Sequence, residues 1–241
     1  MSSAARLELT PKGKLRAGIN LGNTVLARRS VDGVLSGIAV DLATELARRL
    51  GADLDPIIYD AAGPMADGAR AGAWDVAFLA ADPARAGEIA FTAPYLAIDS
   101  TYLVPDGSAL KSVADVDQDG IRIALSEKSA YDLYLTRNIR RARLVRAAGP
   151  PASADLFFRD NLDALAGIRP MLLDVARAHP GTRVLDDAFT AVQQAIGAPA
   201  GRKSAVAYLD EFVADIQSSG LLKTLVEKHA ITGVTVVARN M

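Results

Sequence analysis

The sequence predicts an α/β protein with two lobes, each built on a mostly parallel sheet flanked by helices. Strand-like and helix-like segments alternate from Leu15 to Ala80, and the alternation restarts after the turn at Pro105-Asp106-Gly107. Connections of a few residues between such segments are typical of parallel sheets with helices on their faces. With 241 residues the chain is long enough for two such lobes.

The composition excludes several classes of function. The chain is 50% hydrophobic and 23% charged with a formal net charge of -1, so it lacks the basic excess that nucleic-acid binding requires. No apolar run approaches the roughly 18 residues of a membrane-spanning helix. The absence of cysteine excludes disulfides, thiolate metal sites and cysteine catalysis. We expect no cofactor, no metal and no nucleic-acid partner, and we expect a monomer.

The first lobe contains the clearest helix of the chain. Ile38, Leu42, Leu46 and Leu50 recur at helical spacing, and Gly51 follows as a typical helix stop. The other elements predicted for this lobe are strands at 15–19, 54–59 and 75–80 and a short helix at 65–71.

The second lobe is predicted from the same kinds of pattern. Its strands fall at 121–125, 143–145 and 163–166, with helices at 129–138 and 152–159 and a third that Pro170 begins and 179–181 ends. Beyond residues 189–196 we predict helices at 203–217 and 221–229 and a last strand at 234–237.

Two motifs resemble ion or phosphate loops without matching them. Residues 115–120 (DVDQDG) begin like a calcium loop, but the twelfth position is Ser126, so we favour a polar turn. Residues 197–204 (GAPAGRKS) have glycines spaced one residue too closely for a phosphate loop. We interpret the second segment as a loop capped by Ser204.

Arg85 is the first candidate ligand residue. The strand at 75–80 is followed by Asp82, a plausible helix cap, and Pro83, which suits a first helical turn. This pattern predicts Arg85 at a helix N-terminus beyond the carboxyl end of a parallel strand, where open α/β sheets bind ligands. An anion is the expected guest. The alternative is a surface arginine paired with Asp82 or Glu88.

Ser129 is the matching candidate in the second lobe. It follows the strand at 121–125, with Ala130 directly after it, and could cap a helix at a second carboxyl-end crevice. The alternative is that Ser129 only caps its own helix.

Seven motifs follow one another along the chain between about Leu15 and His229. They are LRAGIN at 15–20, GIAVDLA at 37–43, GAWDV at 72–76, DPAR at 82–85, FTAPY at 91–95, GIRIA at 120–124 and SSGL at 218–221. This series resembles the polar amino-acid solute-binding proteins of ABC importers, family 3.

The resemblance implies a type II periplasmic-binding-protein fold that traps a small carboxylate-bearing solute, amino-acid-like or an organic acid, between two lobes. It implies a discontinuous first lobe (1–99 and 193–241), a second lobe (105–186) and hinge crossings near 100–104 and 187–193. It also implies that Arg85 and Ser129 contact the ligand carboxylate and that an ABC permease is a partner. We expect a periplasmic location if a signal peptide has been removed, and a cytoplasmic one if the chain is complete.

The departures from the family pattern concern the ligand. Ala80 stands where members usually have Ser or Thr, Asn23 replaces an aromatic residue, and Ile168 replaces the aspartate that pairs with the ligand's α-ammonium group. A buried ammonium without a carboxylate partner is costly. We therefore hypothesise a carboxylate without a free α-amino group, bound by Arg85 and oriented by Asn20, Asn23 and Ser129. Arg169 could receive a second negative group.

Two alternatives belong to other functional classes. The same fold resembles dehydratases that act on cyclic prephenate-like acids, but such catalysis needs a positioned acid or base, and the segment where we would seek one offers Ile168. The other alternative is a stand-alone ligand-sensing module without a transporter.

Overall fold

The computed structural model describes residues 2–238 and divides into two compact units. Unit 1 comprises the chain up to Ala97 and again from Gln193 onward, and unit 2 is Ile98–Val192. The chain therefore passes between the units twice, each time within a strand.

The described residues include eight α-helices and thirteen strands. The helices are α1 (Ser3–Leu9), α2 (Ile38–Leu50), α3 (Ala62–Asp67), α4 (Ala130–Asn138), α5 (Pro150–Arg159), α6 (Arg169–Ala178), α7 (Lys203–Ser218) and α8 (Leu221–Lys228). The strands are β1 (Lys14–Asn20), β2 (Arg28–Arg29), β3 (Leu35–Ser36), β4 (Asp53–Tyr59), β5 (Val76–Ala80), β6 (Ile89–Phe91), β7 (Leu96–Pro105), β8 (Arg122–Ser126), β9 (Arg143–Ala147), β10 (Ala164–Ile168), β11 (Thr182–Val184), β12 (Thr190–Pro199) and β13 (Val234–Val236).

The sheet of unit 1 has the strand order β4-β1-β5-β12. Strand β1 pairs in parallel with β4 and β5, and β12 pairs antiparallel to β5. Helix α2 packs on this sheet with the predicted apolar stripe fully buried, and Gly51 ends it in the left-handed conformation (φ 59°) that favours glycine. The predicted helix is confirmed to the residue.

The sheet of unit 2 repeats this arrangement with the order β9-β8-β10-β7. Strand β8 pairs in parallel with β9 and β10, and β7 pairs antiparallel to β10. Its core is an apolar cluster that includes Leu103, Phe157, Leu165 and Leu172. The predicted α/β fold with mostly parallel sheets is confirmed.

An arginine and an aspartate join the central strand to its neighbour at the amino edge of each sheet, and we call this pair the Arg–Asp bracket. In unit 1, Asp75 Oδ2 accepts from the backbone N and Nε of Arg16 at 3.2 and 3.0 Å, while the Asp75 N donates to the Arg16 carbonyl at 2.8 Å. In unit 2, Asp163 Oδ2 accepts from the N and Nε of Arg122 at 2.8 and 3.3 Å, and the Asp163 N donates to the Arg122 carbonyl at 3.0 Å. The two units thus share one arrangement of hydrogen bonds between an arginine and an aspartate, which is not apparent from their sequences.

The bracket of unit 1 is covered, whereas that of unit 2 is partly open. Asp75 is fully buried and also accepts from Arg202 NH1 at 2.9 Å, and the same nitrogen donates to the carbonyl of Glu8 in α1 at 2.7 Å. The carboxylate of Glu8 accepts from Ala205 N at 2.7 Å and so caps α7. The predicted cap Ser204 is wrong, because Ser204 lies inside the helix and Arg202 is at its N-cap position.

Two other features differ from the sequence prediction. Helix α3 spans Ala62–Asp67 instead of 65–71, because the chain turns at Gly68 and Trp74 Nε1 donates to the Met65 carbonyl at 2.8 Å. Helix α1 was not predicted. The Ser2 side chain caps it, and its buried residues Ala5 and Leu9 show that it belongs to the core of unit 1.

Asp41 of α2 provides a pH-dependent link to the end of α8. Its Oδ2 accepts from Lys228 Nζ at 2.7 Å and lies 2.8 Å from His229 Nε2. Burial alone would raise the pKa of Asp41, but these hydrogen bonds outweigh burial and hold the pKa below its ordinary value. A carboxylate with a lowered folded-state pKa contributes stability above its unfolded pKa and loses it as the pH falls through the folded pKa.

We therefore expect Asp41→Asn to reduce the free energy of unfolding by about 1 kcal/mol at pH 7, since the carboxylate is partly exposed. Urea unfolding of both proteins as a function of pH measures the difference. The difference should narrow progressively below about pH 4. A difference that stays constant down to pH 2 would contradict the assignment.

Candidate functional site

Arg85 lies just beyond the carboxyl end of β5, as predicted, but not at the start of an α-helix. Asp82 Oδ1 accepts from Ala84 N at 2.9 Å, and Pro83–Arg85 form a single 3-10 turn. The chain then turns again and enters β6 at Ile89. The predicted helix N-terminus is therefore wrong, and no helix dipole contributes to binding here.

Burial is the main influence on the Arg85 guanidinium. The residue is 7% exposed, and its NH1 donates to the Ala80 carbonyl at 2.8 Å. Burial lowers the pKa of Arg85 to about 10, although the charges of Asp82 and Asp67 act in the opposite direction. The group remains a cation at pH 7, so an arriving anion would offset part of its desolvation cost.

The other candidates of unit 1 lie at the same edge of its sheet. Asn20 and Ala80 are the last residues of the neighbouring strands β1 and β5. Asn20 Oδ1 accepts from Gly22 N at 2.9 Å, and Asn23, which is buried, accepts from Val25 N at 3.3 Å. These two carbonyl oxygens fix the loop that follows β1.

In unit 2, Ser129 is the N-cap of α4, as predicted. Its Oγ accepts from Asp132 N at 3.0 Å at the start of α4, whose first residue is Ala130. The sequence reasoning missed its neighbour Tyr131. The buried hydroxyl of Tyr131 lies beside Ser126 and Ser129, makes no hydrogen bond of normal geometry to any residue within 2–238, and has its pKa raised to about 12 by burial.

Ile168 is the last residue of β10, and Arg169 follows it as the first residue of α6. Ile168 is buried and pairs with Ser100 of β7. The guanidinium of Arg169 donates from NH1 to the Leu185 carbonyl at 2.8 Å and from NH2 to the carbonyls of Asp186 and Asp187 at 2.9 Å each. Arg169 therefore holds the backbone of 185–187, and we do not include it among the proposed ligand contacts.

The acidic residues of the calcium-like segment are used within the protein. Asp115 accepts from the amides of Lys111 and Ser112, and Asp117 accepts from the three amides of 140–142. Asp119 pairs with Arg141. Across the described part of the chain, no group of three or more His, Cys, Asp or Glu is arranged to hold a metal ion.

A search of residues 2–238 for membrane-spanning segments finds no helix that is both long and apolar enough to cross a bilayer.

Comparison with known proteins identifies the class of protein to which this fold belongs. The family described as bacterial extracellular solute-binding proteins, family 3, matches residues 15–232. The chain belongs to this family, which confirms the resemblance drawn from the sequence motifs. Its members are solute-binding proteins, so the dehydratase alternative is not favoured.

Individual relatives are distant in sequence and close in fold. The L-cystine-binding protein TcyJ of Escherichia coli (strain K12) is 23% identical over 229 residues, which cover 93% of this chain and 85% of the relative. A solute receptor for L-cysteine from Neisseria gonorrhoeae has a TM-score of 0.81 at 19% identity and covers 94% of this chain and 93% of its own. The substrate-binding protein AbpA of Streptococcus pneumoniae, bound to L-arginine, has a TM-score of 0.77 at 19% identity, with 91% and 95% covered.

Proposed function

We propose that this solute-binding protein binds a small carboxylate-bearing solute through the guanidinium of Arg85. The observation that carries the proposal is a buried cation with a lowered pKa at the carboxyl end of β5. A guanidinium can donate two parallel hydrogen bonds to one carboxylate, and such charge-assisted bonds are strong in a desolvated setting. The ligands named for the three relatives are amino acids, which share a carboxylate.

Other residues at the sheet edges are proposed to complete the contacts. In unit 1, Asn20, Asn23 and Ala80 lie at the same edge as Arg85. In unit 2, Ser129 is the N-cap of α4 and Ala130 is its first residue, and a serine hydroxyl that accepts at a helix cap also has a hydrogen to donate.

The identity of residue 168 supports a ligand that lacks an α-ammonium group. The family resemblance implies an aspartate at this position for the ligand's ammonium, and the chain has a buried Ile168 there. An ammonium group buried against isoleucine would lose hydration without gaining a counter-charge. We therefore propose an organic acid instead of a free α-amino acid as the preferred solute.

The proposal also includes delivery of the solute to an ABC permease outside the cytoplasm. Its support is the family, which is described as extracellular, together with a structural neighbour of this chain that is the substrate-binding protein of an amino acid ABC transporter.

Matched acids that differ only in the α-amino group test the choice of ligand. Suitable pairs are propionate with alanine, glutarate with glutamate, and 3-mercaptopropionate with cysteine, each screened by thermal shift and measured by calorimetry. We expect the member without the amino group to bind at least about tenfold more tightly in any pair that binds.

The variant Ile168→Asp should reverse this preference, because it supplies a carboxylate for the ammonium group. Ile168→Asn, of similar size but uncharged, is the matched control and should not reverse it. Tighter binding of the amino acids by the unaltered protein would overturn the organic-acid proposal.

A further inference from the structure

A cavity of about 660 Å³ opens on unit 2, at the amino edge of its sheet. It lies beside the residues that precede β8 and β10, whereas Ser129 follows the carboxyl end of β8 and Ile168 is the last residue of β10. The cavity is therefore at the opposite edge of the sheet from the candidate solute residues. Its lining includes the apolar residues Leu110, Ile121, Phe157, Phe158 and Leu162 and the carboxylate of Asp163.

We propose that this cavity is a second binding site, which takes a small neutral molecule containing an aromatic ring. Its volume falls within the range of roughly 300–1,000 Å³ that is typical of small-molecule sites. It is independent of the proposed carboxylate site, because none of its lining residues is a candidate contact for the carboxylate.

The walls favour an apolar, aromatic guest. The rings of Phe157 and Phe158 meet edge to face with centroids 4.9 Å apart, and Phe158 stacks on His179 at 4.1 Å. Phe157 is buried, so the half-buried ring of Phe158 provides the aromatic surface against which another ring can pack. Leu110 and Leu162 are buried and form part of the apolar lining.

The charges at the cavity favour a neutral guest. The lining carboxylate, Asp163, already accepts from the backbone N and the Nε of Arg122. An anion would compete with Asp163 for Arg122, and a cation would compete with Arg122 for Asp163, so either charge would disturb an existing ion pair. A neutral ring avoids both costs.

The rim of the cavity is held in place by hydrogen bonds. Asp106 N donates to the Gly181 carbonyl at 2.9 Å, which ties the two turns of the rim together. Arg183 NH2 donates to the Leu110 carbonyl at 2.5 Å. A rim fixed in this way lowers the conformational entropy that binding would cost.

A comparison within the molecule supports a real binding site at this edge. In unit 1, Arg202 and the end of α1 cover the Arg–Asp bracket, and its aspartate is fully buried. In unit 2, the side chain of the bracket aspartate keeps 35% of its exposure and borders the cavity. The same edge is thus filled by protein in one unit and left accessible within the other.

Titration of the ¹⁵N-labelled protein with indole, followed by amide chemical shifts, tests the proposal. We expect saturable shifts confined to the lining segments 105–110, 157–163 and 180–182, with a dissociation constant on the order of 1 mM. Indole-3-acetate and tryptamine, which add a negative and a positive charge to the same ring system, should bind at least about tenfold more weakly.

Two substitutions of Ala109, an exposed lining residue, distinguish indole bound in the cavity from indole bound elsewhere on the protein. Ala109→Trp should fill the cavity and abolish the indole shifts, while Ala109→Ser should preserve them, with both variants retaining the wild-type melting temperature. Arg85→Ala should leave the indole shifts unchanged, so this result stays independent of the carboxylate proposal.

Three outcomes would overturn the inference. The first is the absence of saturable shifts up to about 10 mM indole. The second is indole binding that Ala109→Trp does not reduce. The third is a set of shifts at the lining residues that appears on raising the protein concentration without indole, which would assign the cavity to a second copy of the chain.

Discussion

Replacing Arg85 with alanine is expected to weaken binding of the carboxylate solute by at least about 100-fold, because the variant leaves a desolvated carboxylate without its cation. The same change should leave the melting temperature of the ligand-free protein nearly unchanged, because relief of the cost of burying a charge offsets the lost packing and the lost hydrogen bond to the Ala80 carbonyl. The buried guanidinium has a lowered pKa, which means that its charge costs free energy in the folded state. Calorimetry and thermal unfolding measure the two effects separately.

Two controls define what Arg85 contributes. Arg85→Lys keeps the positive charge but removes the planar fork, so we expect an intermediate loss of affinity. Arg70→Ala removes an exposed arginine of the same unit, paired with Glu88, and should leave affinity unchanged. Wild-type affinity in Arg85→Ala would show that the guanidinium is structural and that the carboxylate binds elsewhere.

The second large effect is expected at Asp75, where Asp75→Asn should lower the free energy of unfolding by about 3–5 kcal/mol. The carboxylate is fully buried and accepts hydrogen bonds from the guanidinium groups of both Arg16 and Arg202. Asparagine has the same shape but leaves two partly buried cations without their shared counter-charge. Urea unfolding monitored by circular dichroism measures the change.

The bracket of unit 2 provides the matched control. Asp163→Asn removes the corresponding carboxylate, but its side chain is 35% exposed and its arginine partner 41% exposed. Water can solvate the arginine once the carboxylate is removed, so we expect the free energy of unfolding to fall by about 1 kcal/mol or less. Equal losses in the two variants would show that burial does not set the strength of the bracket.

The fold was predictable wherever local pattern and tertiary packing agree. Helix α2 combines an apolar stripe with a glycine stop, and the structure gives it the predicted bounds. Helix α3 begins and ends earlier in the chain than predicted, because the turn at Gly68 and the hydrogen bond from Trp74 to the Met65 carbonyl depend on tertiary contacts. Helix α1 is short, and apart from its Ser2 cap most of its stabilisation comes from packing against the rest of unit 1, which a local sequence pattern does not reveal.

The sequence predicted where the candidate site residues lie on the sheets better than it predicted their local structure and contacts. The rule that ligands bind at the carboxyl ends of parallel strands located Arg85 and Ser129 at those ends. Whether Asp82 would start a helix or a single turn depends on the early return of the chain into β6. The role of Arg169 in holding 185–187 could not be predicted, because those carbonyls come close only after folding.

The Arg–Asp bracket also limits how the strands of each sheet can align. Backbone and side-chain bonds between the same two residues allow one alignment, and a shift by a single residue would turn the buried side chains toward solvent. In each unit, the bracket therefore fixes the register between two neighbouring strands. Units 1 and 2 can therefore keep the same strand alignment despite dissimilar sequences, because the same kind of ion pair fixes that alignment in both.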